Sequence, residues 1–230
     1  MPYYYFYGFD PAYLLLIVVS TILGMATQGY IRSTYRKWSN VPASSGMTGA
    51  QVARRMLDEG GASSVGITEI GGTLTDNFDP RDNKLHLSQE NFSQGSVASV
   101  AVACHEAGHA CQKAKGYVPM KVRTALVPVV NFATNAWTVV LLLGIFMGLT
   151  GFVRLALILF AFSVIFELVT LPVEIDASRR AVKYLAANGG SIDEKGAKQV
   201  LTAAALTYVA AALVSILQLV YLMGRYNDRN

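Results

Sequence analysis

Charged residues are scarce in this 230-residue chain. Asp, Glu, Lys and Arg make up only 15% of it, whereas hydrophobic residues make up 53%. Soluble domains usually carry about a quarter charged residues, so this composition argues against an ordinary soluble domain. The hydrophobic excess falls in four blocks, each close to the ~20 residues that a helix needs to cross the hydrocarbon core. We therefore predict about four transmembrane helices, at residues 12–31, 126–149, 152–171 and 201–223.

The segment before the first hydrophobic block contains no Lys or Arg. A secretory signal begins with a positively charged region, so we expect this block to remain as a membrane anchor. The aromatic run at residues 3–7 is expected at the outer interface of the membrane. Sixteen of the nineteen Lys and Arg residues lie in segments 32–125 and 173–200. Since cytoplasmic segments carry the positive charge, both segments are predicted to be cytoplasmic and both termini outside.

Cysteine is also scarce, with only Cys104 and Cys111 in the chain. Seven residues along a helix separate them by about 10.5 Å, which is too far for a disulfide between them. We expect free thiols, as in a reducing compartment. The sequence has no interleaved basic and aromatic pattern, so nucleic acid is not an expected partner. It also has no internal repeat.

Histidine occurs only three times, yet two of the three stand in the run His105-Glu106-Ala107-Gly108-His109. Residues 96–114 are predicted to form one helix, and positions i and i+4 of a helix share a face. Two imidazoles at this spacing can bind one Zn²⁺, while the adjacent Glu106 can accept a proton from water. The HExxH run therefore predicts a zinc metallopeptidase.

A catalytic zinc site needs about three protein ligands. The longer pattern HExxHxxGxxH fails here, because Gln112 and Lys115 replace its glycine and its last histidine. The second and third hydrophobic blocks form a predicted hairpin that returns the chain to the side of the motif. Glu174 follows this hairpin and is the favoured third ligand. His86 and Glu167 are the alternatives.

We expect residues 1–230 to form a single, mainly α-helical membrane domain with a small cytosolic lobe. Segments 32–125 and 173–200 would build that lobe. A β-hairpin around the turn at residues 79–83 is predicted within it, and its strand at residues 84–88 is expected to bind an extended peptide by edge pairing. The hairpin between the second and third membrane helices is expected to turn at Thr150-Gly151, and Pro172 to begin a new helix.

Residues along nearly the whole chain resemble the YugP-type membrane zinc metallopeptidases, which are related in plan to the HtpX-type membrane proteases. The Thr-Leu-Pro-Val-Glu run at residues 170–174 is the most specific part of this resemblance. Other matching segments are residues 45–53, 74–76, 79–81, 87–88, 102–112, 176–178 and 203–211. The resemblance implies a zinc site built from His105, His109 and Glu174, with Glu106 catalytic. We expect one zinc ion per chain.

Further polar residues are expected to support this site. HtpX-like enzymes carry an aspartate four residues after the ligand glutamate, and this aspartate orients a histidine. Ser178 occupies that position here, so Asp176 is an alternative support. A positive or hydrogen-bonding group should also stabilise the oxyanion of the reaction. The candidates for that role are His86, Arg179, Arg180 and Tyr184.

Together these features predict a multi-pass protein of the cell membrane that acts as a zinc-dependent endopeptidase of the HExxH-plus-Glu, gluzincin-like type. Its expected partners are the lipid bilayer and peptide or unfolded membrane-protein substrates, with a role in membrane-protein quality control. The alternative is a non-proteolytic, zinc-containing membrane scaffold or chaperone. The presence of Glu106 argues against this alternative, because a purely structural zinc needs no general base.

Overall fold

The computed structural model describes residues 10–227, so the aromatic run predicted at the outer interface lies outside the described residues. The described chain contains long helices and a small sheet. The helices are α1 (Pro11–Ser39), α2 (Gly49–Gly60), α3 (Gln89–Ser93), α4 (Val97–Ala114), α5 (Val118–Phe146), α6 (Thr150–Asn188) and α7 (Ser191–Asn227). The strands are β1 (Gly66–Ile70), β2 (Asn77–Asp79) and β3 (Lys84–Ser88).

The described residues divide into two compact units. The helical unit comprises residues 10–28, 125–168 and 207–227. The mixed unit comprises residues 29–124 and 169–206 and contains the sheet. The prediction that residues 1–230 form one domain, with the membrane limits given above, stays a prediction.

Four helices, α1, α5, α6 and α7, are long and apolar enough to cross a membrane. Large apolar side chains on them are exposed, among them Met25, Phe132, Phe146 and Val220, each more than 60% accessible. So many exposed large apolar side chains are unusual for a soluble protein and are expected of helices that face lipid. The prediction of a mainly α-helical chain with four candidate membrane helices is thus confirmed.

Helices α5 and α6 form a tight hairpin. The ring of Trp137 on α5 stacks on Phe160 of α6 with 4.6 Å between centroids. Gly148 adopts φ +65°, a left-handed conformation that glycine tolerates, and α5 has already ended at Phe146. The turn therefore occupies residues 147–149, and the prediction of a turn at Thr150-Gly151 is wrong, because those residues begin α6.

The beginning of α1 and the end of α7 meet within the helical unit. The Asp10 carboxylate accepts a hydrogen bond from the Tyr221 hydroxyl and lies 3.3 Å from an Arg225 guanidinium nitrogen. The Tyr13 ring stacks on Tyr221 at 5.3 Å. The N-terminal end of α1 therefore lies against the C-terminal part of α7.

Helix α6 continues through Pro172 without a break, so the prediction that this proline starts a new helix is wrong. An interior proline removes one backbone hydrogen bond, but the residues after it have a strong reason to remain helical. Val173, Ala177 and Ala181 are fully buried at intervals of four residues. This spacing gives the second part of α6 a continuous apolar face, and its burial stabilises the helix.

Helix α4 lies at the centre of the mixed unit, and most of its residues are buried. The Ser96 side chain caps its N-terminus by accepting a hydrogen bond from the backbone of Ser99. Helix α2 begins with a reciprocal capping box between Thr48 and Gln51. It packs against α4 closely enough that a Cβ atom at Gly60 would overlap the Cys111 sulfur. The motif helix is therefore held in a well-packed core.

The sheet has the order β1-β3-β2, with β1 parallel and β2 antiparallel to β3. The predicted hairpin is present as β2 and β3. Strand β1 pairs with β3 in parallel, and it is this pairing that the sequence did not reveal. Because both edges of β3 are hydrogen-bonded, the prediction that residues 84–88 offer an edge for a peptide is wrong. The free edges of the sheet belong to β1 and β2.

Candidate metal centre

Helices α4 and α6 bring two imidazoles and a carboxylate together in the mixed unit. Nε2 of His105 lies 3.2 Å from Oε2 of Glu174, and Nε2 of His109 lies 3.5 Å from the same oxygen. Ligand atoms of the three residues all lie within 4.8 Å of one another. This is the one cluster of at least three potential metal ligands among the residues that the structure describes.

The spacing of these donor atoms fits zinc. In a tetrahedral zinc site with ligand bonds of about 2.0–2.2 Å, neighbouring donor atoms lie about 3.3–3.6 Å apart. The two nitrogen–oxygen distances, 3.2 and 3.5 Å, fall close to that interval. The donors are also protected from water, because the side chains of His105, His109 and Glu174 are only 12%, 8% and 4% exposed. Two neutral imidazoles and one carboxylate form a donor set suited to zinc.

A glycine inside the motif sets the distance between the two helices that carry these donors. A Cβ atom at Gly108 would lie 2.8 Å from the carbonyl oxygen of Ala177 and 3.2 Å from its Cα. Both atoms belong to the α6 backbone, which cannot rotate aside as a side chain can. The absence of a side chain at Gly108 thus permits α6 to approach, and Glu174 lies one turn away from this contact.

The second nitrogen of each imidazole also has a partner. Nδ1 of His105 lies 3.1 Å from the Ser178 hydroxyl. Nδ1 of His109 lies 3.1 Å from Oε1 of Gln112. Both contacts leave Nε2 directed toward Glu174. Ser178 stands where HtpX-like enzymes have an aspartate, and its hydroxyl reaches the first histidine of the motif.

Gln112 is fully buried and connects α4 with α6. Its side-chain nitrogen donates to the backbone carbonyl of Val173 and to Oδ2 of Asp176, each at 2.8 Å. The same Asp176 oxygen accepts a hydrogen bond from Nε of Arg180 at 2.6 Å. Asp176 therefore belongs to the network around His109, and Ser178 to the surroundings of His105.

Glu106 lies in the same buried region as the three donors. Burial raises the pKa of its carboxyl above the usual value, although the charges of His105 and His109 oppose this shift. A carboxylate with a raised pKa is a stronger base. For His109, burial disfavours the imidazolium, but the Glu174 hydrogen bond and the Glu106 charge outweigh it and raise the pKa. Glu106 is thus a buried carboxyl with a raised pKa close to the three donors.

Arg123, near the beginning of α5, is a cation that sequence reasoning missed. One of its terminal nitrogens lies 4.0 Å from Oε1 of Glu174, the oxygen that does not face the imidazoles. Its Nε is buried without a hydrogen-bond partner among the described residues. The only signal in the sequence was a basic residue ten to fifteen positions after the motif. This signal is weak because the contact depends on the direction in which α5 runs after α4 ends.

The alternatives to Glu174 lie elsewhere. His86 is on β3, where its Nε2 lies 2.9 Å from Oδ2 of Asp82. Glu167 belongs to the helical unit, where it accepts a hydrogen bond from Ser215 at 3.1 Å. Neither residue is in the cluster of potential metal ligands.

The other candidates for oxyanion stabilisation have separate surroundings. Arg179 is exposed. The Tyr184 hydroxyl lies 3.5 Å from a carboxylate oxygen of Glu59 on α2. Arg180 pairs with Asp176, and its guanidinium lies over the Tyr117 ring. Their predicted catalytic roles stay predictions.

Comparison with known proteins shows the family of this chain. A family model described as "Putative neutral zinc metallopeptidase" matches residues 13–227. The chain belongs to this zinc metallopeptidase family. It is also 40% identical over 220 residues to the "Putative membrane protease YugP" of Bacillus subtilis (strain 168), a match that covers 93% of this chain and 98% of that protein. No solved structure matches the chain.

Membership in the zinc metallopeptidase family confirms the resemblance found in the sequence. The family implies zinc as the metal and peptides as the class of substrate. The relative is described as a membrane protease, and this chain has four helices able to span a bilayer. The chain is therefore a multi-pass membrane protein of a zinc peptidase family.

Proposed function

We propose that this protein is a membrane-embedded, zinc-dependent endopeptidase of the HExxH-plus-Glu, gluzincin-like type. His105, His109 and Glu174 hold one zinc ion per chain, and Glu106 is the general base. The substrates are peptide segments of unfolded membrane proteins, as in membrane-protein quality control.

One observation carries this proposal. Three side chains from two helices, separated by 65 residues of sequence, converge with the donor spacing of a tetrahedral zinc site. The imidazole nitrogens that face away from the cluster have hydrogen-bond partners, as the histidine ligands of metal sites normally do. A buried Glu106 stands beside them. A structural zinc site has no use for this base, and a hydrolytic one requires it.

Each residue has a defined chemical task. Zinc in this site would supply the Lewis acidity that polarises a peptide carbonyl and acidifies water. Glu106, whose pKa is raised by burial, accepts the proton of the attacking water and then delivers it to the leaving amine nitrogen. The Glu106 carboxyl thus returns to its starting state after each cycle.

The proposed location of the site is the cytoplasmic side of the cell membrane. Residues 32–125 and 173–200 carry sixteen of the nineteen Lys and Arg residues, which supports a cytoplasmic position for both. The ion pair between Asp10 and Arg225 supports an even number of crossings between the two ends of the helical unit. Four crossings with both termini outside satisfy both observations.

The decisive test of the chemistry uses Glu106→Gln. Purified wild-type protein is expected to contain about one zinc ion per chain and to cleave an unfolded membrane protein. The variant should keep its zinc and its fold, but lose turnover by about 10²–10⁴-fold, because the amide cannot accept a proton.

Two outcomes would count against the proposal. Undiminished cleavage by Glu106→Gln would remove this residue from the mechanism. A zinc-loaded wild-type protein that cleaves none of a broad set of unfolded substrates would instead favour the scaffold or chaperone function. Glu90→Gln is a matched control, because Glu90 is an exposed glutamate outside the cluster.

A further inference from the structure

We infer that Gln112 is a positioning residue for the metal centre: its buried amide fixes the orientation and tautomer of His109 and ties that ligand to the segment of α6 that presents Glu174. The inference deepens the proposed function and depends on His109 being a zinc ligand. Gln112 lies one turn after the motif, on the same face of α4 as His109.

The orientation of the amide follows from its partners. Its nitrogen lies 2.8 Å from the Val173 carbonyl oxygen and 2.8 Å from Asp176 Oδ2. A carbonyl can only accept hydrogen bonds, and so can a carboxylate that also receives one from Arg180. The NH₂ group must therefore point to these two oxygens, and both of its hydrogens are used. A flipped amide would instead place Oε1 of Gln112, an acceptor, against two other acceptors, the Val173 carbonyl and the Asp176 carboxylate.

The orientation of the amide then fixes the state of His109. With its NH₂ group committed to α6, Gln112 presents Oε1 to Nδ1 of His109 at 3.1 Å. An oxygen at this position requires a hydrogen on Nδ1. In the neutral imidazole the lone pair is then on Nε2, which faces Glu174 at 3.5 Å. This is the tautomer that a metal ligand needs.

The same side chain joins both parts of the site. Val173 and Asp176 lie on either side of Glu174 in α6, and His109 lies on α4. The fully buried side chain of Gln112 thus contacts the proposed ligand His109 on α4. Across the helix interface it also contacts two residues of α6 that lie close to the proposed ligand Glu174. Gln112 is expected to keep both ligands in place before the metal binds, which reduces the ordering required on binding.

The first test compares zinc affinity, measured by competition with a chelator, in wild type, Gln112→Met and Gln112→Glu. Gln112→Met keeps the length of the side chain but removes all three hydrogen bonds, and we expect the affinity to fall about 10–100-fold. Gln112→Glu keeps an acceptor for His109 but places a second carboxylate against Asp176. If an acceptor facing Nδ1 of His109 were enough to position this ligand, Gln112→Glu would bind zinc as tightly as wild type. The inference predicts that it binds more weakly.

Gln89→Met is the matched control, because Gln89 is exposed and outside the network. Thermal unfolding of each zinc-free protein shows whether the variant is folded.

A second readout follows the imidazole itself. The chain has only three histidines, so histidine-selective ¹⁵N labelling gives few ring signals, and His109→Ala assigns the one of interest. In zinc-loaded wild type the Nδ1 proton of His109 should be observable, since it is buried and hydrogen-bonded. It should be lost to water exchange in Gln112→Met.

The outcomes separate the inference from the proposed function. If His109→Ala lowers zinc affinity but folded Gln112→Met binds zinc like wild type and keeps the Nδ1 proton signal, Gln112 has no positioning role. Zinc binding by folded Gln112→Glu as tight as that of wild type would likewise overturn the inference. If His109→Ala binds zinc as tightly as wild type, the proposed metal centre is wrong and the role of Gln112 falls with it.

Discussion

Adding one methyl group inside the motif, by Gly108→Ala, should weaken zinc binding without touching a ligand. The new Cβ would lie 2.8 Å from the Ala177 carbonyl oxygen. To restore an ordinary contact of 3.4 Å, the α6 backbone must withdraw by about 0.6 Å. Metal–ligand distances tolerate only about 0.2 Å. We expect α6 to withdraw by this amount in the zinc-free protein, whereas zinc binding must bring Glu174 back.

The magnitude follows from the cost of this overlap. Forcing an extra methyl group into a packed interface costs about 1–3 kcal/mol. If zinc binding must restore the original spacing, that cost lowers the affinity about 5- to 150-fold, since 1.4 kcal/mol corresponds to a factor of ten. Helix propensity acts in the opposite direction on folding, because alanine is about 1 kcal/mol better than glycine in a helix. The propensity gain is the same with and without zinc, so it cancels in the affinity.

The assay is chelator competition on purified protein, accompanied by thermal unfolding of the zinc-free form. Gly29→Ala is the matched control, since Gly29 is inside α1 and a Cβ atom there meets nothing within 4 Å. The control should bind zinc like wild type. If Gly108→Ala also binds zinc like wild type, the close approach of α4 and α6 does not set the ligand geometry.

Two further predictions concern topology and the sheet. With both native cysteines buried, an impermeant thiol reagent on intact cells should label Thr150→Cys and Asn227→Cys but not Glu69→Cys or Asn188→Cys, and the reverse pattern would invert the proposed orientation. The Lys113 ammonium donates to the Pro80 carbonyl at 2.7 Å, so Lys113→Met should speed amide hydrogen exchange in the β2–β3 hairpin without changing zinc affinity. Unchanged exchange there would show that this contact does not hold the hairpin.

The fold was predictable from sequence wherever one physical signal dominates. Four apolar blocks of membrane length predict the long helices, and the polar turn at residues 79–83 predicts the β2–β3 hairpin. The errors occur where tertiary packing overrides a local rule. Pro172 is a helix breaker by itself, yet α6 continues through it because Val173, Ala177 and Ala181 gain burial. The parallel pairing of β1 with β3 is non-local, so alternation within β3 could not reveal that both of its edges are paired.

The residues of the site divide in the same way. The spacing of His105 and His109 is local and can be read from the sequence, and the return of the hairpin singles out Glu174. Gln112 was noted only as a departure from a longer motif, since its partners belong to α6. On a helix, the side chain of Asp176 points about 200° around the axis from that of Glu174. Asp176 is nevertheless part of the hydrogen-bond network of the site, because Gln112 donates to it. Contacts of this kind depend on the crossing of two helices, which no single segment encodes.

The most direct test of the central claim is the zinc content of Glu174→Ala, compared with His86→Ala and Glu167→Ala. The three donors of the cluster lie within 4.8 Å of one another, and neither His86 nor Glu167 belongs to it. We expect Glu174→Ala to lose the zinc that wild type holds, as His105→Ala and His109→Ala should, because each removes one of three ligands. His86→Ala and Glu167→Ala should keep it. Full zinc in Glu174→Ala, together with its loss in His86→Ala or Glu167→Ala, would contradict the account.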